Sequence, residues 1–114
     1  MLKTKEKGIL ISIVSHCQRI IENINQMDEQ TFFEDSNTKD IVCFNILQIG
    51  ELVKHFDDLF IEEYKAQPWK SIKGMRDRIA HGYGTIVWEK VWQVATNQIV
   101  PLKEYCEKIL KENN

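Results

Sequence analysis

The run ILISIVSHCQRIIENINQM, residues 9–27, places apolar side chains at 9, 10, 13, 14, 17, 20, 21, 24 and 27. A recurrence every three or four positions is the period of one buried face of an α-helix, not the alternation of a half-buried strand. Two further stripes repeat it. Ile41, Val42, Ile46, Leu47, Ile49, Leu52, Val53 and Phe56 predict a second helix over about residues 39–56, and Asn37 or Thr38 is the expected cap. Trp88, Val91, Trp92, Ala95, Ile99, Leu102, Cys106 and Ile109 predict a last helix over residues 85–110, kinked at Pro101. Gly50, inside the second stripe, lowers helix propensity by roughly 1 kcal/mol relative to Ala and so marks close packing of a neighbouring helix.

Between these stripes, polar residues 28–40, interrupted by Phe32 and Phe33, read as a loop. A short helical turn is expected at 59–64, and Pro68 suits the first turn of a helix carrying Trp69, Ile72, Met75 and Ile79. Gly82 and Gly84 interrupt the chain before the last helix. The fold class is all-α, an antiparallel bundle of four or five helices in one domain spanning residues 1–114. The chain's 5 Gly and 2 Pro are too few for a turn-dense β-sandwich. Its 114 residues are too few for a doubly wound nucleotide-binding fold, so any active site that needs a second wall must borrow it from another chain. Cys17, Cys43 and Cys106 are odd in number and sit among apolar neighbours, as reduced core residues of a cytoplasmic protein do. No apolar run is long enough to cross a membrane, and no Cys/His set has zinc-ligand spacing, so neither a membrane partner nor a metal or other cofactor is expected. His16 borders the first stripe, and the Trp88–Trp92 pair belongs to the core.

Charge is uneven. Residues 65–81 carry Lys65, Lys70, Lys73, Arg76 and Arg78 against Asp77 alone, a balance of +4 that leaves −6 for the rest of a chain whose total is −2. Such a segment suits a phosphate-bearing partner, although lysines also simply solubilise a helix face. It ends in Arg76-Asp77-Arg78-Ile79-Ala80-His81-Gly82-Tyr83. A histidine that moves protons near neutrality and an arginine that holds phosphorane charge are what phosphodiester cleavage requires. Asp77 and His81 are four apart, the spacing at which a carboxylate on a helix reaches an imidazole and fixes its tautomer. Arg76 and His81 are five apart, about 140° around an ideal helix. They converge only if the helix ends between them or another chain closes the site. The competing reading makes Asp77, His81 and Tyr83 a structural cap.

The run Arg76 to Tyr83 resembles the R-x4-H-x-Y signature of the HepT-like ribonuclease toxins of the HEPN superfamily. Asn45 with Ile49-Gly50-Glu51 is similar to the family's N-x3-I-G-E segment. Glu34-Asp35, Thr38 and Asp40 before it, Pro68-Trp69, Ile72 and Gly74-Met75 ahead of the signature, and Val91-Trp92 and Pro101-Leu102 in the last helix also resemble the family in order. Phe44 and Val87 depart from it, standing where many members carry an arginine and an acid. The resemblance implies a homodimeric bundle with both signatures in one cleft, acting as a metal-independent endoribonuclease through the ribose 2′-hydroxyl. Two His81 side chains would share the base and acid roles, Arg76 would hold the phosphate charge, and Asp77 would orient His81. Lys70, Lys73 and Arg78 are candidate RNA contacts, and Asn45 and Glu51 candidate dimer or supporting residues, with a solvated Glu51 beside His55 as the competing view. The resemblance also implies an MntA-like nucleotidyltransferase antitoxin that transfers AMP to Tyr83. Two alternatives stand beside it: a non-catalytic nucleotide- or partner-binding module, and a structural dimerisation domain.

Overall fold

The computed structural model describes residues 2–67 and 69–113. Among these residues the chain forms α1 (Thr4–Ile24), α2 (Glu29–Glu34), α3 (Ser36–Val53), α4 (Asp58–Glu63), α5 (Trp69–His81), a 3₁₀ turn (Tyr83–Thr85), α6 (Trp88–Asn97) and α7 (Ile99–Glu112), with no strand. Pro68 lies outside the described residues, so the expectation that it opens α5 is not addressed. α1 packs on α3 and α7, and α3 packs in turn on α5. The fold is therefore the expected helical bundle, with α1 and α3 at its centre.

The stripes explain this packing. Ile9, Leu10, Ile13, Cys17 and Ile20 of α1 are buried against Val42, Ile46 and Ile49 of α3 and Ile99, Leu102, Cys106 and Ile109 of α7. Removing such side chains from water contributes roughly 1.5–3 kcal/mol each. One residue of the second stripe departs from the expected burial: Ile41 is 38% exposed. The three cysteines are buried thiols, as expected. Burial pushes Cys17 and Cys43 up to about 12 and raises Cys106 as well, so all three stay protonated.

Three elements differ from expectation, each for a local reason. The stretch expected as a loop contains α2, a six-residue helix capped by the Asp28 side chain, which accepts from the Thr31 N–H at 2.8 Å. Phe32 anchors it, fully buried, with its ring 5.1 Å from that of Trp92 and 6.4 Å from that of Trp88. This contact places both tryptophans against the core. The cap of α3 is Asp35, whose carboxylate accepts from the Thr38 N–H at 3.0 Å, instead of Asn37 or Thr38. Finally, the last stripe is carried by two helices. The chain breaks at Gln98 (φ −110°, ψ −26°), and Pro101 sits in the first turn of α7, where a missing N–H costs nothing. The proline marks a helix start, not a kink.

Asp28, Asp35 and Asp57 each cap a helix, and the backbone N–H each accepts holds its carboxyl below the ordinary value of 3.8. A folded-state value below the unfolded one gives stability that is complete above the unfolded value and is lost as pH falls through the folded one. The melting temperature is therefore expected to drop as pH is lowered from about 4 towards 2, as followed by circular dichroism. A midpoint unchanged over that range would contradict the capping roles.

Candidate functional site

The site begins at the crossing of α3 and α5. Gly50 has no side chain, and a methyl there would overlap Cβ of Arg76 and come within 2.6 Å of its Cγ. The missing Cβ thus lets the Arg76 stem lie directly on α3, as the glycine in the stripe predicted. There the guanidinium meets two carboxylates: Nη2 pairs with Glu51, the next residue on α3, and Nη1 donates to Asp77 Oδ1 at 2.9 Å. Nε is buried, with no hydrogen-bond partner among the described residues. The hydrogen bond it donates to Asp77, followed by the Glu51 charge, raises the Arg76 pKa further, so the cation is permanent. Reciprocally, the Arg76 hydrogen bond holds Asp77 below the ordinary carboxyl value, with the charges of Lys54 and His81 adding lesser pulls.

This arrangement corrects two readings. Asp77 accepts its hydrogen bond from the neighbouring Arg76, not from His81, because the arginine brings a permanent charge to within bonding distance. Glu51 is not a solvated partner of His55; it pairs with Arg76 and, at 3.7 Å, with Lys54. Asn45 is buried between α1 and α3: its Oδ1 lies 2.7 Å from Nδ1 of His16, and its amide donates to the Ile41 carbonyl at 2.8 Å. Its polar atoms are used inside the chain, and it supports the helix pair that carries Gly50 and Glu51.

His81 stands elsewhere on α5. The helix continues through His81, so Arg76 and His81 do not converge by an early helix end. His81 is exposed, and its side chain makes no hydrogen bond or ion pair among the described residues. It lines a groove of about 360 Å³ between the end of α5, the 3₁₀ turn and the start of α6. Met75, Ile79, Ile86 and Val87 supply apolar surface there, and Arg78 and Lys90 supply charge. Tyr83 opens the 3₁₀ turn, which is closed by the Thr85 N–H and hydroxyl donating to the Gly82 carbonyl at 2.8 and 2.7 Å. The side chain of Tyr83 lies outside the described residues. Lys73 lines a different hollow, beside Lys54 and Asp58, and Lys70 stands between that hollow and one that adjoins the His81 groove. Lys90 is the charged residue that sequence reading missed, since it lies beyond the basic segment and on the next helix. The two departures from the family pattern, Phe44 and Val87, are both 53% exposed.

The geometry thus provides two half-sites on one helix: a fixed cation facing α3 and an open imidazole facing α6. Among the described residues no three of His, Cys, Asp and Glu gather as metal ligands, and no helix is long and apolar enough to cross a membrane.

Comparison with known proteins places this geometry in context. A family described as Ribonuclease HepT-like matches residues 13–109. Two proteins of Methanocaldococcus jannaschii that bear provisional RNase names are 30% and 33% identical over 112 residues, covering 98% of this chain and 93% and 97% of theirs. The probable ribonuclease HepT of Thermococcus cleftensis is 26% identical over 110 residues, 96% of this chain and 100% of that one. No solved structure gives a significant match.

Proposed function

The chain belongs to the HepT-like ribonuclease family, and from that premise we propose that it is a metal-independent endoribonuclease, the toxin of a pair with an MntA-like nucleotidyltransferase antitoxin. The observation that carries the reading is the Arg76-x4-His81-x-Tyr83 signature inside the matched region, with His81 exposed, and without a side-chain partner among the described residues, beside Arg78 and Lys90. His81 of one protomer removes the proton from a ribose 2′-hydroxyl, whose oxygen attacks the adjacent phosphorus. The bond to the 5′-oxygen breaks as His81 of the partner subunit donates a proton to it, leaving a 2′,3′-cyclic phosphate and a 5′-hydroxyl. Sharing the work in a homodimer answers two features of the chain: it offers one such histidine, and its Arg76 and His81 face different neighbours.

In this reading Glu51 and Asp77 fix the Arg76 guanidinium and leave N–H groups on its terminal nitrogens for the phosphate. Asp77 supports His81 only through its charge. Adenylylation of Tyr83 by the antitoxin would add bulk and negative charge two residues from His81, where RNA phosphates approach. Action on RNA beside its antitoxin places the protein in the cytoplasm.

The purified protein is expected to cleave RNA equally with and without a chelator and to leave cyclic phosphate ends, as read by gel and mass spectrometry. Cleavage that stops on adding chelator removes metal independence, and no cleavage at any enzyme concentration removes the enzyme. One observation favours a second reading: the Arg76 cation is already neutralised by two carboxylates. A non-catalytic module that binds a nucleotide or a nucleotidyltransferase would show binding without cleavage.

A further inference from the structure

The groove at His81 does not end with the 3₁₀ turn. A second hollow of about 350 Å³ adjoins it, sharing Met75, Arg78 and Lys90 and continuing between α5 and α6 to Lys70, Ser71 and Gln98. At the far end the Ser71 hydroxyl donates to Gln98 Oε1 at 2.9 Å, across the break between α6 and α7. From Lys70 to His81 the helix rises about 16 Å, room for roughly two or three extended nucleotides.

The charge of this channel is one-sided. No Asp or Glu lines either hollow. Four lysines outside the channel are paired with carboxylates: Lys3 with Asp57, Lys54 with Glu51, Lys65 with Glu62 and Lys103 with Glu107, at 3.3, 3.7, 3.2 and 3.1 Å. Lys70, Arg78 and Lys90 meet no carboxylate and make no side-chain hydrogen bond among the described residues. Three cations with no carboxylate among the described residues therefore follow a channel whose first hollow is mainly apolar, with Met75, Ile79, Ile86 and Val87, and whose second adds Val94 beside the polar Ser71, Gln93 and Gln98. That combination fits a single strand, whose phosphates seek charge and whose unstacked bases seek apolar cover; a duplex keeps its bases stacked inside.

We propose that the α5–α6 groove is a track for single-stranded RNA, in which Arg78, Lys90 and Lys70 hold successive phosphates leading away from His81. The proposal rests on the ribonuclease reading for the identity of its ligand. It extends that reading by giving the substrate a strandedness and a path, and by giving Lys90 a role. The track lies on the side of α5 that carries His81, away from the Arg76 crossing.

The test measures binding of a fluorescent 2′-O-methyl oligouridine, which lacks the attacking hydroxyl and so reports binding by the intact protein without cleavage. Each released counterion contributes about 0.7 to the salt slope of single-strand binding. Lys70→Gln, Arg78→Gln and Lys90→Gln are each expected to reduce that slope by about 0.7 and to weaken binding about fivefold at about 0.1 M salt. Lys111→Gln, in a separate hollow beside Lys7, is the control and should change neither. Equal losses in all four variants, no loss in the three groove variants, or equally tight binding of a 2′-O-methyl duplex would overturn the track. Wild-type protein that binds the probe in this pattern but cuts no RNA would refute the ribonuclease reading and leave the track standing. RNA cleavage by wild type with binding indifferent to the groove cations would do the reverse.

Discussion

His81→Ala is expected to lower RNA cleavage by about 10²–10⁴-fold, the usual contribution of a positioned acid or base. The thermal midpoint should stay at the wild-type value. Both halves follow from the surroundings of the residue: the imidazole is exposed, has no side-chain partner among the described residues, and lies at the end of α5. Removing it leaves no cavity and no orphaned polar group. The measurement is a cleavage time course beside a melting curve on the same preparation. Full activity in the variant would end the assignment of His81, and a large drop in midpoint would mean that its role is structural. Substrate binding should survive, because Arg78 and Lys90 remain in the groove.

Gly50→Ala is the second substitution with a large expected effect, and its sign reverses ordinary helix behaviour. At an exposed helical position the change stabilises by roughly 1 kcal/mol. Here the added methyl would overlap the Arg76 stem, and the helices must separate or the arginine must leave its carboxylates. Overpacking of this kind destabilises by about 1–3 kcal/mol. Gly74→Ala provides the control on the partner helix, since a methyl at that position meets nothing within 4 Å. Chemical denaturation is expected to show Gly74→Ala equal to or more stable than wild type and Gly50→Ala clearly less stable. Cleavage by the folded Gly50→Ala protein should also fall, because the guanidinium moves with its stem. A Gly50→Ala protein as stable as Gly74→Ala would refute the close crossing.

Periodic features were readable in the chain, and features decided by competition between neighbours were not. The stripes through Leu10, Ile46, Ile72 and Leu102 gave the helices and their buried faces, because burial imposes the helical period directly. The α2 helix has one buried side chain, Phe32, and is too short to display a period. Its signal lay in Asp28 three residues before Thr31, a capping pattern repeated at Asp35 and Asp57. The break at Gln98 leaves no mark on the periodicity because the apolar stripe keeps its phase across it, and Pro101 lies three residues beyond it, inside α7.

At the site, the spacing of Asp77 and His81 was correct, yet it described an opportunity, not an outcome. A permanent cation one residue away took the carboxylate. The pairing of Arg76 with Glu51 joins residues 25 positions apart and exists only because α3 and α5 approach at Gly50. Lys90 reaches the groove only through the fold of the 3₁₀ turn.

The two sides of α5 also imply different histories for the two hallmark residues of the signature. Arg76 is coupled to Gly50 by fit and to Glu51 by charge, so a larger residue at position 50 displaces the arginine and loss of Glu51 removes one of its carboxylates. His81 has no such partners among the described residues. In a lineage that abandoned catalysis, the histidine would be free to drift at once, while the arginine persisted as a relic of packing. An arginine retained without its histidine would then record common ancestry, not surviving activity.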